Sequence, residues 1–282
     1  MSIELCVLAS GSAGNCSIVR TPGGVMLIDA GIGPRTAAQR MQGTGVVPAD
    51  VSVVLLTHLD RDHFSPTWAA TLARNDARIY CHSTTIYELR RLLGEAGDEL
   101  DIRSFDGDSF QLIEGLWARP IHLQHDQEGS HGFVLEGFGN RIGYATDLGS
   151  VPRQLLEHFC DLDLLALESN YDRQLQLDSS RPWFLKQRIM GGRGHLSNEQ
   201  AFDAVRQTLD QCERRGTPLP RYIVLLHRSR QCNCPRLLRQ IFCRDVRIGP
   251  RLILAEQYQR TDWLRPGYVK AAAGEQLMLA WG

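Results

Sequence analysis

At 282 residues, 43% of them hydrophobic, the chain can bury a full core, and its composition excludes a disordered protein. A formal net charge of −1 excludes a surface that is basic overall, so any contact with nucleic acid must come from a local patch. The apolar runs fall well short of the ~18 residues that span a bilayer, and the opening MSIELCVLASGSAGN has neither the basic start nor the long apolar stretch of a secretory signal, so the expectation is a soluble cytoplasmic protein with reduced cysteines and no membrane partner.

In chain order, strand patterns at IELCVLA, CSIVR and VMLIDAG are separated by the tight punctuation SGSAGN and TPGG, which predicts antiparallel pairing at the start of a sheet. Helical and strand patterns then alternate through PRTAAQRMQ, VSVVLLTH, SPTWAATLARN, RIYCH and TTIYELRRLLGEAG. Strands return between Asp101 and Asp147, in DIRSF, SFQLI, LWARPIHL, HGFVLE and RIGYATD. Alternation resumes with PRQLLEHFC, DLLALES, WFLKQRIM, SNEQAFDAVRQTLDQCERRG, RYIVLLH, PRLLRQIFC and RLILAE. Strands with helices in both halves imply an α/β fold of two sheets packed face to face with helices outside, a four-layer αββα sandwich. No linker divides it, so residues 1–257 are expected to form one domain and 258–282 an extension without clear period. Trp183 and Phe184 in WFLKQRIM could stack bases, but an amphipathic helix there is expected to bury them first.

The chemistry gathers first in THLDRDHFSP, directly after the apolar run VSVVLL. A loop that follows a buried strand is fixed by the sheet, and His58, Asp60, Asp62 and His63 are all metal-ligand types at a density that a polar surface loop does not need. Later apolar strands also stop on such residues: His125 in IHLQHD, Asp147 in GYATDLG and His227 in YIVLLHRS. Singly each is an ordinary structural residue. Jointly they assign His58, Asp60 and His125 to one metal and Asp62, His63 and His227 to a second, with Asp147 shared.

This ordered set resembles the metallo-β-lactamase fold superfamily, whose usual first motif is His-x-His-x-Asp-His. ASGSAGN, LIDAG at 27–31, TDLG at 146–149, LESNYD at 167–172, RIMGGRGHLSN at 188–198 and the late LLHRS resemble, from about Leu8 to Pro235, the YycJ (WalJ) type of metallohydrolase. The resemblance implies the αββα fold, a dinuclear site of the seven residues with two divalent ions (Zn or Mn, with Fe as a further candidate), and exonuclease activity on DNA. Over DLLALESNYD and GHLSN the chain is also similar to tRNA 3′-processing endonucleases, in which a Glu and a His cooperate near the leaving group. Here they would be Glu168 and His195, with Asp62 counted among both ligands and catalytic residues.

The expected activity is therefore phosphodiester hydrolysis, with nucleic acid, DNA or RNA, or another phosphodiester as substrate. Phosphodiester cleavage must supply a proton to the departing alkoxide, and a His195 whose tautomer and pKa are set by Glu168 suits that task. Ser197, with Gln200 three residues on, also predicts a capping box that would hold the His195 loop. The runs 181–193, with Arg181, Lys186, Arg188 and Arg193, and 221–251, with eight arginines against Asp245, are candidates for backbone contact. Asp29 is expected to orient the metal loop, SGSAGN to be either an anion-binding nest or a tight turn, and Cys232 and Cys234 to be ordinary thiols.

Asp60 departs from the usual motif. With Asp62, Asp147 and a bridging hydroxide it would cancel the charge of two divalent ions, and a carboxylate there should favour Mn over Zn. The rival readings are a thioester or small-ester hydrolase of the glyoxalase II kind, which needs an enclosed pocket and neither Glu168 nor His195, and a metal-binding module that has lost activity.

Overall fold

The computed structural model describes residues 2–267, and its strands pair into two sheets. The first contains β1 (Glu4–Ala9), β2 (Cys16–Thr21), β3 (Gly24–Ala30), β4 (Val51–Leu55), β5 (Arg78–His82) and β6 (Asp101–Phe105), hydrogen-bonded in that order. Pairing is antiparallel from β1 to β3 and parallel from β3 to β6. The second contains β7 (Phe110–Ile113), β8 (Leu116–Leu123), β9 (Ser130–Gly137), β10 (Asn140–Ala145), β11 (Leu164–Glu168), β12 (Tyr222–Leu226) and β13 (Leu252–Leu254), ordered from β13 at one edge to β7 at the other. Here β7 to β10 are antiparallel and β10 to β13 parallel.

Both faces of each sheet are covered, which is why the central strands read as near-continuous apolar runs. In β1, Leu5 and Val7 face the second sheet while Cys6 and Leu8 face outward. In and after β4, Val53 and Leu55 point inward, Val54 and Leu56 outward. The inner layer joins these to Phe133, Leu135, Tyr144, Leu164, Val224 and Leu226 of the opposite sheet. Outside the first sheet lie α1 (Pro34–Met41), α2 (Ala69–Arg74) and α3 (Ile86–Leu93), buried through Ala37, Met41, Leu72 and Leu89. Outside the second, α4 (Arg153–His158), α7 (Asn198–Arg215) and α8 (Pro235–Phe242) bury Leu155, Val205, Leu209, Leu238 and Phe242. The architecture is the expected αββα sandwich.

Two further helices, α5 (Arg173–Asp178) and α6 (Trp183–Met190), leave the sandwich between β11 and α7 and pack on each other. Of these α5 carries no apolar period; its start is set by the Asp172 side chain, which accepts the Leu175 amide at 2.9 Å. The burial expected for α6 does not occur. Trp183 is 60% and Phe184 72% exposed, and no residue of the helix is buried. The physical reason is position: α6 lies over loops at the edge of the sandwich, where no sheet face is available to take up an apolar stripe.

The helix α7 starts with the predicted box, Ser197 accepting from the Gln200 amide and Gln200 from the Ser197 amide, and ends at Gly216 in the left-handed region at φ 67°. Residues 258–267 run along β1: Leu264 pairs with Leu5 through bonds of 3.0 and 2.8 Å, and Trp263 donates to the Thr44 carbonyl at 3.0 Å under the Arg20 guanidinium. They cover what would otherwise be an open sheet edge. The rest of the expected extension, 268–282, lies outside the described residues. Among the described residues no helix is long and apolar enough to cross a membrane, and all eight cysteines are free thiols.

Candidate metal centre

The carboxyl ends of β3, β4, β8, β10, β11 and β12 meet at one edge of the sandwich, where they deliver Asp29, His58, His125, Asp147, Glu168 and His227. Asp29, Asp147 and His227 turn the chain there in the left-handed region, at φ 58°, 55° and 52°. A non-glycine residue held so costs about 1–3 kcal/mol, and such strain persists where the surroundings over-determine it, as at functional sites. Asp and His are among the side chains that tolerate it best.

The seven residues anticipated from the sequence converge. Ligand-type atoms of His58, Asp60 and His125 lie within 4.8 Å of one another, as do those of Asp62, His63 and His227. Asp147 stands between the two groups: its Oδ2 is 3.0 Å from His63 Nε2, and its Oδ1 is 3.2 Å from His227 Nδ1 and 3.9 Å from His125 Nε2. Asp60 is the exposed member, with Oδ2 3.7 Å from His58 Nε2 and 3.9 Å from His125 Nε2.

The ring orientations come from hydrogen bonds behind the cluster. The Thr57 hydroxyl donates to Asp29 at 3.0 Å and accepts from His58 Nδ1 at 2.9 Å. His63 Nδ1 donates to Asp29 Oδ2 at 2.7 Å, and His125 Nδ1 to the Gly194 carbonyl at 2.9 Å. Each bond spends Nδ1 and turns Nε2 inward, the usual way a protein presents imidazole to a metal. The Nε2 atoms of His58 and His227 are buried without a hydrogen-bond partner. Unpaired buried nitrogens facing carboxylates fit a divalent cation, because each would otherwise forfeit its hydration for nothing.

Charge at the centre says the same. Burial depresses His58 well below the usual imidazole range. Burial acts on His63 and His227 too, yet Asp147 and Asp29 hold His63 well above its ordinary value, and Asp147, Asp62 and Glu168 raise His227 to about 10. Against the same burial, His227 and His63 lower Asp62 to about 2 and Asp147 well below the carboxylate range. So many buried carboxylates demand positive charge, and protonated imidazoles supply it here where divalent cations would do so by coordination.

Beside the candidate metal ligands stands the Glu168–His195 pair. Glu168 is fully buried; Oε1 accepts from His195 Nδ1 at 3.1 Å and from the Leu196 amide at 3.0 Å, while Oε2 accepts the Asp147 amide. Burial opposes charge on His195, but Glu168 and then Asp147 outweigh it and raise its pKa. With Nδ1 held, the ring lines a pocket of about 280 Å³ together with Asp60, Asp62, Asp147 and His227. That pocket shares Asp60, His125, Asp126 and Arg188 with a larger cleft of about 730 Å³.

Several functional positions escape the sequence. Asn15 is buried with Nδ2 2.9 Å from His63 Nε2, and Ser10 Oγ accepts the His227 amide at 2.7 Å. Of the two readings of SGSAGN the structure favours the turn: the amides of Gly11, Ala13 and Gly14 are taken by Asn15, Gln257 and Gly11, leaving them no anion to bind. Asn233 donates to the carbonyls of Ser169 and Asn170 and to Asn198, bracing the loop after Glu168. Two glycines mark close approaches: a Cβ on Gly31 would come within 1.8 Å of the Asp62 carbonyl, and one on Gly149 within 2.4 Å of Gly192.

The two basic runs separate. In the first, Arg181, Arg188 and Arg193 line the pocket or the cleft, Arg188 paired with Asp126, while Lys186 donates to the Leu177 carbonyl. In the second, Arg244 pairs with Glu199 and Arg247 with Asp210, Glu213 and Asp245, so these serve the α7–α8 surface instead of a backbone. Cys232 is buried and Cys234 precedes α8; neither joins a ligand group among the described residues.

The family model for the beta-lactamase superfamily domain matches residues 25–215, which carry Asp29, the His58–His63 motif, Asp147, Glu168 and His195. The chain belongs to the beta-lactamase superfamily. Within that superfamily it is 27% identical over 240 residues to an exodeoxyribonuclease YycJ of Bacillus anthracis, a match covering 85% of this chain and 87% of the relative. The superfamily fold is matched at a TM-score of 0.67 by YhfI of Bacillus subtilis, at 13% identity and covering 93% of this chain and 100% of that one. Human tRNase Z, short form, shares it at a TM-score of 0.59 and 18% identity, covering 92% and 98%.

Proposed function

We propose that the protein is a metal-dependent phosphodiesterase that cleaves nucleic acid, DNA in the first instance. The observation that carries this reading is the Glu168–His195 pair, whose 3.1 Å contact holds an imidazole at the rim of the candidate ligand cluster, in a pocket that opens to a cleft. The similarity to an exodeoxyribonuclease supports it. An enclosed thioester pocket would need neither residue.

One ion would be held by His58, Asp60 and His125 and the other by Asp62, His63 and His227, with Asp147 shared. When bound, two divalent ions, Zn or Mn, supply an activated water and neutralise the charge that develops on the phosphoryl oxygens. The chain's own residues do the rest. Asp29 and Thr57 keep the His63 and His58 rings aimed; Asn15 holds the Asp62–His63 turn, accepting the Gly11 amide while its backbone amide donates to the Asp62 carbonyl at 2.7 Å. His195 gives its Nε2 proton to the departing alkoxide as the P–O bond breaks, and regains one from solvent. Glu168 raises the pKa of that ring above the ordinary imidazole value.

The test compares wild type and His195→Ala, both loaded with Mn or Zn, on labelled DNA, labelled RNA and bis(p-nitrophenyl) phosphate. The variant should lose about 10²–10⁴-fold on nucleic acid and much less on the nitrophenyl ester, whose leaving group needs no proton. A variant that keeps its metals and the full rate on nucleic acid removes His195 from the reaction.

A further inference from the structure

We propose that Trp183 and Phe184 form a stacking step for the bases of an unpaired strand entering the metal cleft, which would make single-stranded or frayed ends the preferred substrate. The inference rests on the nucleic-acid reading above and narrows its substrate class.

Helix α6 is the roof of the site. Leu185, Arg188 and Ile189 line the pocket that holds His195, His227 and Asp147, while Gln187 and Arg188 line the larger cleft with His58 and His125. At 3.6 residues per turn, Phe184 stands one turn before Arg188 and Trp183 one turn before Gln187. Each ring therefore shares a helix face with a residue of the cleft wall, one turn nearer the helix N-terminus. Neither belongs to any of the three apolar clusters of the core, and both are largely exposed. Two neighbouring aromatics left in water beside a functional cleft are costly unless something covers them.

Charge selects the occupant. Residues 181–193 contribute Arg181, Lys186, Arg188 and Arg193 and no acid; the rest of the cleft carries Asp60, Glu88, Asp126 and Glu128, of which Asp126 pairs with Arg188, so Arg181, Lys186 and Arg193 are the cations of this face with no acidic partner among the described residues. A second copy of the chain docked through the same patch would face these cations with its own. A polyanion does not: its phosphates can follow the α6 side and Arg193 while its bases lie on the rings, the combination used by proteins that bind unpaired strands without reading sequence. A duplex keeps its base faces inside its own stack and offers none to Trp183 or Phe184.

The experiment uses metal-loaded protein and two phosphorothioate strands, an end-labelled thymidine ten-mer and its abasic counterpart, with binding followed by fluorescence anisotropy. Wild type and the aromatic variant Trp183→Phe/Phe184→Tyr should prefer the base-bearing strand by about tenfold or more. Trp183→Leu/Phe184→Leu should bind the two strands alike. A leucine variant that keeps the preference, or a wild type that shows none, overturns the proposal. So does a leucine variant that turns a dimer into a monomer in sedimentation with the preference unchanged, since the patch would then be a self-association surface. Binding is read apart from turnover, so failure of the nuclease reading shows separately, as no cleavage of unmodified strands with the preference intact.

Discussion

Asp29 Oδ2 lies 2.7 Å from His63 Nδ1, and both side chains are sealed from solvent. The bond fixes which nitrogen of His63 faces the ligand cluster. Because Asp29 also accepts the amide and hydroxyl of Thr57, it ties β3 to the loop that carries four of the candidate ligands.

Asp29→Asn should therefore weaken metal binding by about 10–100-fold, the usual effect of losing a ligand's supporting carboxylate. Chelator competition gives the affinity, and circular dichroism checks that the variant is folded. Unchanged affinity would mean that Thr57 alone holds the rings.

Glu168→Gln removes the charge that keeps the His195 pKa above its ordinary value. A general acid works only while protonated, so the alkaline limb of the pH–rate profile on nucleic acid should move to lower pH. A loss of rate with the limb in place would reduce Glu168 to a structural brace for the Leu196 and Asp147 amides.

At Asp60 the exposed carboxylate would be the hard ligand of its group. Asp60→His should shift preference from Mn toward Zn while keeping part of the activity. Metal analysis after growth with each ion, together with kinetics, checks this; identical content and rates would place Asp60 outside the coordination sphere.

Removing the metals should alter the pH dependence of stability. In the metal-free protein His227 is raised to about 10, so its stabilisation is complete below about 6.5 and is lost as pH rises toward 10. Asp62, lowered to about 2, contributes above about 3.9 and loses that only in acid, outside this window. Metals compete with the imidazole protons, so the rise in melting temperature on adding Mn or Zn should be larger at pH 8.5 than at pH 6. An increment that falls with pH would contradict the protonation states inferred for His63 and His227.

The site was legible where buried strands end on or within one threonine of a candidate site residue: VSVVLL before Thr57 and His58, GYA before Thr146 and Asp147, LLAL before Glu168 and YIVLL before His227. Strands covered on both faces are apolar throughout, so the first polar residue after each stands out. Asn15 and Ser10 gave no such signal, because their partners His63 and His227 lie far along the chain and only the fold joins them. Helix α5 is six residues of mostly polar sequence, too short to show a period. The burial expected of Trp183 and Phe184 failed because periodicity describes a helix that has a layer beneath it, and α6 has only loops.

The segment that carries α5 and α6 is clasped at its base. Tyr171 and Ser197 form a parallel bridge, Asn170 donates to Leu196, and the returning limb meets the ligand loops through Asp126 to Arg193 and His125 to Gly194. Because these clips, together with the Ile189 carbonyl that takes the His195 amide at 2.9 Å, hold both limbs of a loop whose interior belongs to none of the apolar clusters of the core, its length and sequence between residues 173 and 187 can vary at small thermodynamic cost. Specificity is thus separable from catalysis in this molecule: exchanging that insert for one of different length or charge should redirect which polymer is gripped and leave the hydrolytic machinery standing.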